Sequence, residues 1–266
     1  MKLEFCSLSS GSSGNCYYLG NEFHGILIDA GISARAIKNF LKDINISMHQ
    51  IMGVLVTHNH NDHIKSLQTL ACKYHFPIYT TDIVWENILK HPFQQKIGKD
   101  CVKMIKLFQK NTVAGFEFEA FPVSHDTPET VGFHICAGSR RVTIVTDLGY
   151  ICENAAKYIK LANFLVIESN YDKDMLENGS YPYYLKNRIL SKSGHLDNHE
   201  TSTFLSEYMN PDLSHVCLAH LSKNNNSPEK ALETLQKVFN EKGKKINEKT
   251  KILVLNRSIP SELFQL

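Results

Sequence analysis

Surplus positive charge is the first thing this sequence lacks. Its 29 Lys and Arg stand against 27 Asp and Glu, a formal net charge of +2. That excludes a histone-like or arm-type nucleic-acid binder, whose affinity rests on excess cation, and leaves room only for a local basic patch. Long apolar runs are missing too. The longest, such as residues 51–56, are far short of the ~20 apolar residues that a bilayer-spanning helix needs, so no membrane association is expected. The opening Met1-Lys2-Leu3-Glu4-Phe5 has no apolar stretch of the kind a secretory signal carries. Cysteines number seven, an odd count, and no two stand in C-x-x-C spacing, which argues against a disulfide framework and a thiolate zinc site. Most read as small core residues in a reducing cytosol, so a cytoplasmic location is expected. Low-complexity blocks, Pro-rich linkers and internal repeats are absent, and the expectation is one domain over residues 1–266. With 42% hydrophobic and 21% charged residues, the chain can bury a sizeable core.

The periodicity predicts strands over 3–8, 16–19 and 25–29, a helix over 33–42 and a strand buried on both faces over 51–56. A helix over 64–74, a short strand over 77–81 and a helix over 83–90 follow. Strands are then predicted over 104–108, 116–122, 130–136 and 141–146. The last third alternates, with helices over 153–161, 200–209 and 227–242 and strands over 164–168, 215–219 and 251–255. Two β-rich regions, each followed by helices, predict an α/β protein of four layers, sheet on sheet with helices outside.

Thr57-His58-Asn59-His60-Asn61-Asp62-His63 directly follows the buried strand and directly precedes a helix. In an extended segment, residues two apart point the same way, so His58 and His60 can grip one ion. Asp62 and His63 lie at the turn into the helix and can serve an adjacent position. Three imidazoles and a carboxylate suit Zn²⁺ or another borderline first-row ion, and are too rich in nitrogen for Ca²⁺ or Mg²⁺. One segment cannot complete two metal sites. His125, Asp147 and His220 each stand where an apolar strand leaves the core, a usual place for site residues in sheet proteins. His215 precedes its strand, and His24, His49, His75 and His91 sit in polar or helical contexts, so these five read as surface or structural. His134 lies mid-strand and reads as a satisfied core residue.

The segment at 58–63, with Asp29 in Leu27-Ile28-Asp29-Ala30-Gly31 before it and His125, Asp147 and His220 after it, resembles the motif series of the metallo-β-lactamase superfamily. The resemblance spans roughly residues 25–220. It implies a four-layer αβ/βα sandwich, two mixed β-sheets flanked by helices, with two divalent metal ions in a cleft along one edge. It implies that His58, His60 and His125 hold one ion, that Asp62, His63 and His220 hold the other, and that Asp147 bridges them, with Asp29 behind a ligand. Zinc is the ion expected, with manganese or iron able to fill the same set. True β-lactamases usually lack a histidine at the place of His63, so antibiotic hydrolysis is not expected. Four further stretches resemble the bacterial YycJ/WalJ group: Ser9-Ser10-Gly11-Ser12-Ser13-Gly14-Asn15-Cys16, Ile167-Glu168-Ser169-Asn170-Tyr171, Gly194-His195-Leu196-Asp197-Asn198 and His220-Leu221-Ser222-Lys223-Asn224-Asn225. That group is described as 5′-to-3′ DNA exonucleases related to the tRNase Z and PhnP phosphodiesterases. It usually shows Ser where this chain has Asp197, which adds a negative charge beside His195.

The resemblance thus implies a dinuclear-metal phosphodiester hydrolase acting on DNA, in which a water between the ions becomes a nucleophile near neutral pH. Asp147 would fix the bridge and Asp62 could accept a proton from the water. His195 is the candidate catalytic residue that is not a ligand, against the alternative of an ordinary loop histidine capping the next helix. Glu168 and Asn170 face the same way after a strand, and substrate contact or support of the ligands are both open. The Ser9–Asn15 stretch could offer N–H groups to a phosphate, or be a plain hairpin loop. Lys186, Arg188 and Lys192 could guide a polyanion. Tyr181, Tyr183 and Tyr184 could stack on bases, with at least one expected in the core. Two other functions are consistent with the same residues. One is a small-molecule hydrolase acting on a lactone, thioester or cyclic phosphodiester. The other is a non-catalytic metal-binding scaffold, whose mark would be a broken ligand set.

Overall fold

The computed structural model describes residues 3–266; Met1 and Lys2, at the start of the segment read above for a signal, lie outside the described residues. The first strands, β1 (Glu4–Ser9), β2 (Cys16–Gly20) and β3 (Gly25–Ile28), are buried on both faces. Phe5, Tyr17, Leu19, Ile26 and Ile28 face one way, and Cys6, Leu8, Tyr18 and Leu27 the other. Helix α1 (Ala34–Asp43) is capped by Ser33, whose hydroxyl accepts from the Ala36 N–H at 3.2 Å. Strand β4 (Ile51–Leu55), helices α2 (Asn61–Ile64) and α3 (Leu67–Tyr74), strand β5 (Ile78–Thr80), helix α4 (Asp82–Ile88) and strand β6 (Val102–Met104) complete the first half. The second half runs β7 (Asn111–Val113), β8 (Phe116–Val123), β9 (Thr130–Ala137), β10 (Arg140–Val145), α5 (Glu153–Leu161) and β11 (Phe164–Glu168). It continues through α6 (Lys173–Asn178), α7 (Tyr183–Leu190), α8 (Asn198–Tyr208), β12 (His215–Ala219), α9 (Pro228–Glu241), β13 (Lys251–Val254) and β14 (Phe264–Gln265).

Two seven-stranded sheets result, ordered β14-β1-β2-β3-β4-β5-β6 and β13-β12-β11-β10-β9-β8-β7. Each is antiparallel on one side and parallel on the other: β3 to β6 are parallel in the first, β10 to β13 in the second. The inner faces meet in one apolar layer, Phe5, Tyr17, Ile28 and Leu55 against Phe118, Phe133, Ile144, Phe164 and Val166. Outside the first sheet, Leu27, Val54 and Val56 pack with Ile37 and Leu41 of α1, Leu67 and Leu70 of α3 and Trp85 of α4. Outside the second, Val145, Leu165, Ile167 and Leu218 pack with Tyr158 of α5, Leu205 of α8 and Leu235 of α9. The four-layer sandwich read from the element order is the one observed.

Four local differences have physical reasons. The strand expected over 104–108 lies earlier, because β6 pairs Val102 to Met104 with Ile78 to Thr80, and the chain then turns at Phe108, where φ is +61°. The helix expected over 64–74 is broken at Ser66, whose N–H and hydroxyl both bond to the Ala30 carbonyl, at 2.9 and 3.1 Å. Strands β7 and β14 are too short to leave a pattern. Helices α6 and α7 were not expected, although Tyr181, Leu185 and Ile189 form a four-residue repeat that packs on Tyr171 and Leu176.

Candidate metal centre

The parallel strands of both sheets end at one edge, and the site is built where they stop. Asp29 follows β3, Thr57 and His58 follow β4, Asp147 follows β10, Glu168 ends β11 and His220 follows β12. At Asp29, Asp147 and His220 the backbone turns left-handed, with φ of 60°, 58° and 58°. Asp and His enter this region more readily than most residues.

His58, His60 and His125 form a triangle, with ring centroids 4.8 to 5.2 Å apart. One ring nitrogen of each lies within 4.8 Å of the others, and so do ligand atoms of Asp62, His63 and His220. Asp147 stands between the two sets. Its Oδ2 is 3.4 Å from His63 Nε2, and its Oδ1 is 3.5 Å from His220 Nε2 and 3.8 Å from His125 Nε2. His195 lies beside them, its ring 5.1 Å from His125 and 5.3 Å from His220. The seven ligand candidates and His195 are therefore brought together.

Behind this layer, hydrogen bonds assign the ring protons. His63 donates from Nδ1 to Asp29 Oδ2 at 2.7 Å, and Thr57 donates its hydroxyl to the same oxygen at 2.9 Å. With its proton so used, Thr57 Oγ1 accepts from His58 Nδ1 at 2.9 Å. His125 donates from Nδ1 to the Gly194 carbonyl at 3.1 Å. Glu168 Oε1 accepts from Nδ1 of both His195 (2.8 Å) and His220 (2.9 Å), while its Oε2 accepts the N–H groups of Leu148 and Leu196. Asn170 donates to the His220 carbonyl at 2.7 Å. In His58, His125 and His220 this leaves Nε2 as the atom free to take a cation, the arrangement that outer hydrogen bonds impose on metal-binding histidines. Among the described residues, His58 Nε2, His220 Nε2 and Asp147 Oδ2 are buried with no hydrogen-bond partner, a costly condition unless a cation takes them.

The electrostatics agree. Burial, and then the neighbouring imidazoles His63 and His125, push His58 well below its usual range, so it is a neutral donor. Burial would also lower His63, but Asp147, Asp29 and Asp62 raise it to about 9. His220 is raised in the same way, against burial, by Asp147, Asp62 and Glu168. Burial disfavours the charged carboxylate of Glu168, yet His195 and His220 hold it well below its usual range. Carboxylates that favour a proton at this centre favour a metal cation there equally. A set of imidazoles and carboxylates with unsatisfied buried atoms fits divalent metal binding.

The structure also places the remaining side chains. Glu168 bonds His195 and His220, and the Asn170 side chain bonds His220. The Ser9–Asn15 loop supports the centre: Ser10 Oγ accepts the His220 N–H at 2.9 Å, and Asn15 Nδ2 lies 2.9 Å from His63 Nε2. Gly194 is present for close approach, since a Cβ there would lie 2.0 Å from the Ile189 carbonyl oxygen. Asp197 is the cap of α8, accepting the Glu200 N–H at 2.6 Å. Ser and Asp serve equally as caps, and the added charge faces the positive end of the helix. His195 therefore caps nothing.

His134 bonds Thr143 at 2.8 Å, and His215 sits between Phe164 and Phe264, so both are structural. His24, His49 and His75 are exposed, and His91 lies 3.4 Å from Asn59. Tyr181 is half-buried on the satellite cluster, whereas Tyr183 and Tyr184 are exposed. Of the basic group, Lys186 bonds the Glu177 carbonyl at 2.7 Å, and Arg188 pairs with Asp126. Sequence reasoning missed Asn15, Thr57 and Asp126. The first two lie inside the stretches singled out, and Asp126 adjoins His125, its Oδ1 3.3 Å from His125 Nε2 and 3.5 Å from His60 Nε2.

Comparison with known proteins matches this architecture. The family model described as "Beta-lactamase superfamily domain" covers residues 24–220. The chain is 35% identical over 263 residues to exodeoxyribonuclease YycJ of Bacillus anthracis, covering 99% of each chain. It is 32% identical over 232 residues to exodeoxyribonuclease WalJ of Streptococcus pneumoniae serotype 2, covering 87% of this chain and 86% of that one. Among solved structures, the metallo-beta-lactamase fold protein YhfI from Bacillus subtilis superimposes with a TM-score of 0.73 at 17% identity, over 98% of this chain and 99% of that one. The chain belongs to the beta-lactamase superfamily, with the metallo-β-lactamase fold, and within it to the YycJ/WalJ group.

Proposed function

We propose that this protein is a dinuclear-metal phosphodiester hydrolase that degrades DNA from an end. The observation that carries the reading is the convergence of three buried atoms without hydrogen-bond partners, His58 Nε2, His220 Nε2 and Asp147 Oδ2, on one centre. The activity named for the two relatives supports the choice of DNA. We assign His58, His60 and His125 to one ion, Asp62, His63 and His220 to the second, and Asp147 to both. The nitrogen-rich set favours zinc. When bound, such ions supply Lewis-acid activation of water and of the phosphoryl group. Asp62, whose Oδ2 lies 3.7 and 3.8 Å from Nε2 of His63 and His220, takes a proton from the attacking water. His195 donates from Nδ1 to Glu168, so in its imidazolium form the second proton, on Nε2, is the one delivered to the leaving oxygen, and the ring is left neutral with its Nδ1 proton on Glu168. Its side chain is 19% exposed, enough to meet a substrate at the open side of the centre. Glu168 keeps His195 and His220 in register with one carboxylate oxygen. The cytoplasmic location proposed here follows from the DNA-directed activity named for the two relatives.

The test pairs elemental analysis with hydrolysis on one preparation. Two ions per chain and progressive shortening of an end-labelled strand are expected. His195→Ala should lower kcat by roughly 10²- to 10⁴-fold with both ions retained; loss of metal would make His195 a ligand instead. Turnover of a lactone panel with labelled DNA left intact would overturn the reading.

A further inference from the structure

Helix α7 ends beside the centre, where the Ile189 carbonyl accepts the His195 N–H at 3.1 Å, and its two faces differ. Leu185 and Ile189, with Tyr181 just before the helix, turn inward onto Tyr171 and Leu176. Tyr183 and Tyr184 are 79% and 74% exposed, so both rings are spared from packing. At 100° per residue they stand on different flanks. Tyr184 shares its flank with Arg188, four residues on, which places their Cβ atoms about 6 Å apart; Tyr183 points away from it. The Arg188 guanidinium pairs with Asp126, whose other carboxylate oxygen is 3.3 and 3.5 Å from the Nε2 atoms of His125 and His60. An exposed aromatic ring and an exposed cation thus stand in a row leading away from the centre, separated from the metal-facing nitrogens by a single carboxylate. An isolated exposed tyrosine needs no explanation; it is the alignment of Tyr184 with Arg188 and the site that does.

We propose that α7 is a strand-gripping wall, in which Tyr184 stacks on the base next to the scissile phosphate and Arg188 exchanges Asp126 for a phosphate of the same strand. The inference rests on the nucleic-acid reading above and narrows it. A base can lie on Tyr184 only when it has left its own stack, so the substrate enters as a single strand or a frayed end. Arg188 suits the exchange because an exposed ion pair contributes little to stability and a guanidinium matches phosphate in geometry.

Two oligonucleotides decide the matter, one intact and one with an abasic residue beside the cleaved end, each assayed with the metal-loaded enzyme. The wild type should prefer the intact strand about tenfold in kcat/KM. Tyr184→Ala should remove the preference with metal content unchanged, Tyr184→Phe should restore it, and Tyr183→Ala should keep it. Arg188→Gln should lower the slope of log(kcat/KM) against log[salt] by about 0.7, the share of one single-strand phosphate. Tyr184→Ala retaining the preference, or Tyr183→Ala losing it equally, would overturn the wall alone, as would a wild type that cuts both strands equally well. A wild type that cuts neither strand would remove the nucleic-acid reading, and the wall with it.

Discussion

The first sheet delivers His58, His60, Asp62 and His63 from one segment at the end of β4, whereas the second delivers His125, Asp147, Glu168 and His220 from four separate strand ends. The first set is fixed locally, by an extended stretch running into α2 and by Asp29 behind it. The second depends on register. Val145 must pair with Ile167 and Glu168 with Ala219 for Asp147, Glu168 and His220 to stop at the same level. A contiguous set tolerates movement of the sheet that carries it; a dispersed set is only as good as the alignment of several strands.

Substitutions on the two sides sharpen that contrast. The largest effect is expected at Asp147→Asn, because Asp147 touches both ligand sets. Metal and activity should vanish together, beyond the 10- to 100-fold loss typical of outer hydrogen-bond partners; a variant that keeps both ions would show that the sets are held independently. Next come the two carboxylates that stand behind the proposed ligands. Glu168→Gln loses one acceptor shared by His195 and His220, and kcat should fall by roughly 10²- to 10⁴-fold. Asp29→Asn acts on the contiguous set, where Thr57 also holds His58, and metal affinity should fall by about 10- to 100-fold. Equal losses in kcat and metal affinity for the two variants would erase the difference between the sides.

The smallest effect lies inside the second sheet, away from its ends. His134 is buried against Thr143 and Tyr158, and burial lowers its pKa to about 4. The unfolded chain, with a value near ~6.5, then binds the proton more readily. Stability is therefore full above pH ~6.5 and falls as pH drops from there toward about 4, by at most about 3 kcal/mol. Denaturant unfolding of His134→Gln should show a flatter dependence over this window than the wild type, with hydrolysis at neutral pH unaltered. Identical slopes would mean that His134 charges freely in the folded state.

The same contrast explains what could be read from the chain alone. His58 to His63 announced themselves because their spacing is local. His125, Asp147 and His220 were legible only as polar residues at the ends of apolar strands, in the right order. Asn15 and Ser10 act across more than 45 and 200 residues of sequence, through Asp62–His63 and His220, and no local pattern marks such contacts. The roles of Glu168 and Asp197 needed coordinates, since a carboxylate after a strand or before a helix can face substrate, ligand or helix cap. The sandwich was legible because each strand's apolar residues face two layers. Helix α7 escaped because its inward face is only two residues, Leu185 and Ile189, and rests on a satellite cluster rather than on the main core.

Three of the residues facing or backing the centre, Asp29, Asp147 and His220, occupy mirror-image backbone. Alanine at any of them would forfeit a functional group and also sit in a conformation that disfavours a bare β-carbon by about 1 kcal/mol or more. Asparagine, at ease with that handedness, isolates the chemistry from the contortion. Glycine relaxes the contortion while deleting the chemistry. A paired Asn and Gly series at these positions would separate how much of the protein's resistance to unfolding is lent by an occupied centre and how much is withheld by the bends that build it.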